Sequence, residues 1–348
     1  MPEPVPAMDS YDLHEAARSG QMAGLPPDIF TLERLAARNA AGNTPLHAIA
    51  KYGGLRLLPA GVLTAVTLTL RNDSGYTPLH HAALGGQLNE VPAEFLTESL
   101  LRLTSNSGYT VFHVAAANGH LRQLPAALIT PAVVLSKTHL GNTLLHEAAE
   151  NGALDRLPAG FLTAGSMLDR NLGGETVLHV AAFNGHLDQL PPGMLTAAAL
   201  LEQTTAGDTV FHAAAISGHL EQIPAEFLTH DHLVVASKTG FTAIHAAAET
   251  GQLAKIPPDR LTLDLLLTRN DNGDTPLHAA AFEGHLDQVP RPLLTAETLA
   301  VRNYDGITVG RTAISRGFAG QLPPSLRPRS SGVLGKLLVR LGVSRQPF

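Results

Sequence analysis

A short pattern of apolar and polar positions repeats along this chain at a spacing of 33 residues. Its clearest copy runs Gly174-Glu175-Thr176-Val177-Leu178-His179-Val180-Ala181-Ala182-Phe183-Asn184-Gly185-His186-Leu187. Nine copies open on a glycine, from Gly42 through Gly306, and a degenerate tenth precedes them at Asp9. A later glycine stands in all ten, from Gly20 to Gly317. A fixed period of this length predicts a stack of like units in place of one globular core.

Each unit reads alike. In Thr44-Pro45-Leu46-His47-Ala48-Ile49-Ala50, the Leu and the two residues three and four positions on share one helical face. Thr44 is suited to accept a free N–H of the first turn, Pro45 loses no useful donor there, and Gly53 suits a left-handed end. The pattern predicts a first helix of about nine residues. Alanine pairs such as Ala115-Ala116 and Ala181-Ala182 let neighbouring first helices approach closely.

The second half of the unit is proline-bearing, as in Leu190-Pro191-Pro192-Gly193-Met194-Leu195-Thr196, and the proline recurs in all ten copies from Pro26 to Pro323. Proline inside a helix costs about 3 kcal/mol, so each is placed in the first turn of a short second helix. The following threonine, Thr31 through Thr295 in nine copies, is placed as the cap of a further turn such as Ala296-Glu297-Thr298-Leu299. A polar turn like Arg269-Asn270-Asp271-Asn272-Gly273 leads into the next unit.

The ends differ from the middle. Residues 1–8 form a proline-rich lead, residues 9–326 the repeats, and residues 327–348 a basic tail with five cations and no acid. The first unit is unusually polar and the last has Arg311 where the others have His, so both read as caps. In the tail, Leu334, Leu337, Leu338 and Leu341 follow helical spacing opposite Lys336 and Arg340. That predicts a basic amphipathic helix, folded over the open end of the stack or attached to an anionic membrane or a partner.

Composition narrows the function classes. Apolar residues make up 44% of 348, enough for a continuous core, and cysteine is absent, which excludes disulfides and thiolate chemistry. No apolar run reaches the roughly 18 residues of a membrane span. The opening residues lack the basic and apolar regions of a signal peptide, which points to a cytoplasmic protein or to export by another signal. A net charge of −6 argues against nucleic acid.

The pattern Gly-x-Thr-Pro-Leu-His-x-Ala-Ala-x-x-Gly-His-Leu resembles the ankyrin repeat, most closely at residues 273–286, and the resemblance covers roughly residues 9–326. It implies an all-α, ankyrin-like solenoid of about ten repeats, joined by short hairpin turns or by helical turns in their place. The second halves depart from the family, since Leu-Pro-x-x-x-Leu-Thr stands where a Val-Val-x-x-Leu-Leu helix is usual. Tetratricopeptide units lack the Thr-x-Leu-His turn, and leucine-rich repeats need a shorter period.

Seventeen histidines raise the question of metal or catalysis. Nine of them, from His14 to His278, occupy one repeat position, where the resemblance implies bonds to backbone and to the neighbouring Thr. The pair His230 and His232 has the spacing to chelate, but no third ligand is apparent. Every candidate acid, base or hydroxyl recurs on schedule, whereas a catalytic group is expected to be unique. The expectation is a non-enzyme without metal or cofactor.

Binding fits better. The resemblance implies a concave groove lined by first helices and turns, with variable positions around the opening glycine and just before the second one. Those positions carry Tyr52, Tyr76, Leu84, Tyr109, Phe183, Ile216, Phe241 and Phe282, beside acids that include Glu175, Asp208 and Asp274. Nine acids stand there against Arg18, Lys51, Lys238 and Arg316, which favours a basic protein surface. The expected function is a monomeric scaffold that binds a protein through this groove. An intracellular adaptor, a bacterial effector acting on a host protein, and membrane-surface association through the tail alone remain alternatives.

Overall fold

In the computed structural model, residues 12–157 and 160–327 are described. The tail helix expected over residues 334–341 lies outside them, as do Asp9 and Tyr11 of the first cap. The described residues hold nineteen α-helices and no strand. The chain packs as two compact units, residues 12–172 with 189–191, and residues 173–188 with 192–327.

The first unit contains the first helices Leu13–Arg18, Pro45–Tyr52, Pro78–Gly85, Val111–Ala117 and Leu144–Glu150, each packed on the next. The second contains Val177–Asn184, Val210–Ser217, Ala243–Glu249, Pro276–Glu283 and Val309–Ser315, packed in the same sequential way. The full copies are seven or eight residues long, against the nine or so expected. Four of them end on the later glycine in left-handed geometry, at Gly86, Gly185, Gly218 and Gly284, with φ 75° at Gly185.

The core repeats with the sequence. The residue before the repeated His is buried in each full unit: Leu46, Leu79, Phe112 and Leu145 in one, Leu178, Phe211, Ile244 and Leu277 in the other. The alanine pairs, such as Ala82-Ala83 and Ala214-Ala215, are buried where first helices meet. Burial between neighbours is what stabilises units too small to fold alone.

The second half is less helical than the sequence implies. A 3-10 turn, as at Leu220–Gln222, comes before the proline. Pro224 then stands outside a second 3-10 turn, Ala225–Phe227, at its N-cap with φ −54° and ψ 136°. The expected placement inside a first helical turn is thereby corrected: proline holds its own residue extended, and this separates the two tight turns. The following threonine does cap a short α-helix, as Thr97 does for Glu98–Leu101. The expected hairpin turns are reduced to single antiparallel bridges at Thr104 with Thr110, Ala236 with Thr242, and Arg302 with Thr308.

Candidate functional site

In six repeats the repeated histidine joins its own repeat to the following one, while His113 Nε2 donates to the Ser136 carbonyl at 3.0 Å. In Thr77-Pro78-Leu79-His80, the Thr77 backbone N–H donates to His80 Nδ1 at 3.1 Å, and the Thr77 hydroxyl lies 2.8 Å from the same nitrogen. Because Nδ1 accepts, the proton of the neutral ring sits on Nε2. That N–H donates to the Tyr109 carbonyl in the following unit at 3.0 Å. The same bond joins His47 to Tyr76, His179 to Asp208, His212 to Phe241, His245 to Asp274 and His278 to Ile307. Burial pushes His47, His80 and His113 down to about 4, and lowers His212, His245 and His278 as well.

This bond explains why the position after the opening glycine varies. It contributes its carbonyl, which every residue has, so Tyr76, Tyr109, Asp208, Phe241, Asp274 and Ile307 can each fill it. The turn itself is held from within: Asn270 Oδ1 accepts from the Asn272 and Asp274 backbones, both at 3.0 Å. Arg269 Nη1 donates to the carbonyls of Gly273 and Arg302, each at 2.8 Å.

The candidate binding residues fall into two groups. Tyr52, Leu84, Phe183, Ile216 and Phe282 are exposed, with Phe183 the most open at 52%. Tyr76, Tyr109 and Phe241 are half-buried. The Tyr76 ring meets His80 edge-on at 5.2 Å, and the Phe241 ring lies 5.4 Å from His245. Among the acids, Glu175 is exposed and Asp208 half-buried. Asp274 Oδ1 accepts from Asn303 Nδ2 at 2.8 Å, so part of its polarity serves the turn.

Within each unit these residues line recesses. Tyr76, His81, Leu84, Tyr109, Val114, Ala117 and Asn118 surround about 250 Å³ in the first. In the second, Phe183, Ile216, Glu175 and Asp208 line about 340 Å³, and Phe241, Phe282, Ile307, Glu249, Asp274 and Glu283 line about 320 Å³.

Three features escape the sequence reading. Glu147 is 2% exposed in a column that holds Ala or Val in six of the eight full repeats, and burial pushes its carboxyl up despite hydrogen bonds from Asn142 Nδ2 and Tyr109. Its departure from that column was the available signal. The Arg316 guanidinium lies 3.9 Å from the Phe282 ring centre, while its Nε donates to the Phe282 carbonyl. The third is a glutamine clamp. Gln222 Oε1 accepts from the Leu187 N–H at 2.9 Å, and its Nε2 donates to the Gly185 carbonyl at 2.6 Å. Gln123 does the same for Leu88 and Gly86. Recurrence of Gln two positions before the proline was its signal.

The chelating pair does not form. His232 donates from Nδ1 to the Phe227 carbonyl at 2.7 Å and stacks on Phe211, while His230 Nε2 lies 3.1 Å from Asp264. No group of three potential ligands occurs among the described residues. No helix among them is long and apolar enough to cross a membrane.

The ankyrin-repeat family model matches residues 272–298, which include the helix Pro276–Glu283 and its capping Thr275. No curated protein matches the chain. The repeat matched there is one of a series with like Thr–His caps and glycine turns, and the chain is a helical repeat protein consistent with the ankyrin-repeat family.

Proposed function

We propose that this protein is a binding scaffold, not an enzyme, and that it docks a protein partner on the face made by its first-helix ends and turns. Ankyrin repeats generally mediate protein–protein interaction. The observation that carries the reading is the placement of Phe183, Ile216 and Phe282 in the second unit, and of Tyr52 and Leu84 in the first. All are exposed large apolar side chains at equivalent helix ends. The histidine bridge, which needs only a carbonyl, frees the neighbouring turn positions of Tyr76, Tyr109 and Phe241 from any structural need for a particular side chain. Apolar anchors with acids around them form the layout of an interface, and the acids favour a basic surface on the partner. Each unit carries its own docking residues: Tyr52 and Leu84 with half-buried Tyr76 and Tyr109 in the first, and Phe183, Ile216 and Phe282 with half-buried Phe241 in the second. The protein acts as a monomer in the cytoplasm, of its own cell or of a host.

The test is capture of partners from source-cell extract by the wild type and by a Phe183→Ser/Ile216→Ser/Phe282→Ser variant, read by mass spectrometry. A partner held by the wild type and lost by the variant, with unchanged melting, is the expected result. Equal capture by both proteins overturns the reading.

A further inference from the structure

The recesses of the two units differ in charge. In the first unit, one recess is lined by uncharged side chains with His81, and the other balances Asp12 and Glu15 against Arg18 and Lys51. In the second unit, the two recesses named above have an apolar wall, and the charged side chains that line them are acids. Phe183 and Ile216 stand with Glu175 and Asp208, and Phe241, Phe282 and Ile307 stand with Glu249, Asp274 and Glu283. Neither is lined by Lys or Arg. The guanidinium of Arg269 is turned to backbone carbonyls, and that of Arg316 covers Phe282. Its seat there shows that this aromatic wall accepts a cation on its face.

An apolar wall with carboxylates suits one kind of side chain: a long aliphatic stem with a cationic head. Carboxylates beside an apolar wall favour a cationic side chain over a neutral one, and an acidic one would be repelled. The first recess lies at the helices Val177–Asn184 and Val210–Ser217, and the second spans Ala243–Glu249 and Pro276–Glu283, two repeats further on. Packed helices lie about 8–10 Å apart, so the recesses are about 20 Å apart, which an extended chain covers in about six residues.

We infer that the second unit binds a basic stretch of its partner, one arginine or lysine side chain entering each recess, with the two cations about six residues apart. This rests on the docking role proposed above and narrows it.

The test measures fluorescence anisotropy of the full chain with short labelled peptides. One carries two arginines about six residues apart around a leucine, a second has both arginines replaced by glutamine, and a third has them adjacent. The spaced peptide is expected to bind at least about tenfold more tightly than the other two, with the advantage shrinking as salt rises. An Asp208→Asn/Glu249→Gln/Glu283→Gln variant that melts like the wild type is expected to lose that preference. Equal affinity for the three peptides, an unchanged preference in the variant, or no binding of any peptide overturns the inference. Equal affinity for all three, abolished by Phe183→Ser/Phe282→Ser, overturns the cation pairing while leaving the docking face intact.

Discussion

His80 Nε2 donates to the carbonyl of Tyr109, 3.0 Å away and 29 residues later. The bond is made by a ring that is completely buried, to an acceptor in the next repeat. Removing the ring leaves the Thr77 N–H and the Tyr109 carbonyl without it. A buried polar group left unpaired costs about 1–3 kcal/mol. His80→Ala is therefore expected to destabilise by that amount or more, measured by urea unfolding. The equivalent His179→Ala is expected to act similarly. Unchanged midpoints would show that the bridge is dispensable.

Acid acts on the same bridge. His47, His80 and His113 are held down to about 4 in the folded chain, against an ordinary value near 6.5. Between those values the unfolded chain binds more protons than the folded one, so stability rises with pH across that window. It is fully present above about 6.5 and is lost progressively toward about 4. A melting temperature that falls steeply from pH 6.5 to 4, less so in His80→Gln, is the expected outcome. A flat profile over that range would mean the histidines are not buried neutral.

Much of this was legible from sequence because each feature recurs. Thr-x-Leu-His, the alanine pairs and the turn glycines announce one helix and its ends, and nine threonines mark the second. What was not legible depends on the neighbouring unit. Spacing gives the Thr77–His80 contact but not the reach of Nε2 to Tyr109, since the acceptor is backbone and leaves no side-chain signature. For the same reason, variability at Tyr76 and Tyr109 reads as exposure, although their rings are half-covered by the histidine beneath. Pro224 was misplaced because two consecutive 3-10 turns have no periodicity long enough to read.

The glutamine clamp makes a sharper prediction than the histidine. Gln222 uses both ends of its amide, accepting from Leu187 and donating to Gly185. Gln222→Glu keeps the acceptor but sets an anion against the glycine carbonyl. Gln222→Ala removes both bonds. Each is expected to cost about 1–2 kcal/mol, with Glu no better than Ala. Glu90 serves the corresponding place by accepting twice, from the Gly54 and Leu55 N–H groups, so Glu90→Gln is expected to be mild by comparison. Urea midpoints of the four proteins check the order. A Gln222→Glu variant as stable as wild type would show that the donated bond contributes nothing.

Gly85 inverts an ordinary rule. It lies inside the helix Pro78–Gly85, where alanine is normally favoured over glycine by about 1 kcal/mol. Its φ is not positive, so no backbone preference protects it. The constraint comes from the adjacent first helix: a Cβ at residue 85 would fall on the carbonyl oxygen of Lys51. That oxygen is main chain and cannot swing aside, so the helices Pro45–Tyr52 and Pro78–Gly85 would have to separate. The separation would loosen contacts around Ile49, Ala82 and Ala83, all fully buried. Overpacking of this kind costs about 1–3 kcal/mol, which outweighs the gain in helix propensity. Gly85→Ala is therefore expected to lower stability, while Gly165→Ala, in the helix Ala164–Met167 where a Cβ would meet the Thr163 hydroxyl at an ordinary 3.9 Å, is expected to raise it slightly. Thermal melts of the two variants decide the matter, and stabilisation by Gly85→Ala would mean that the two helices are not held this close.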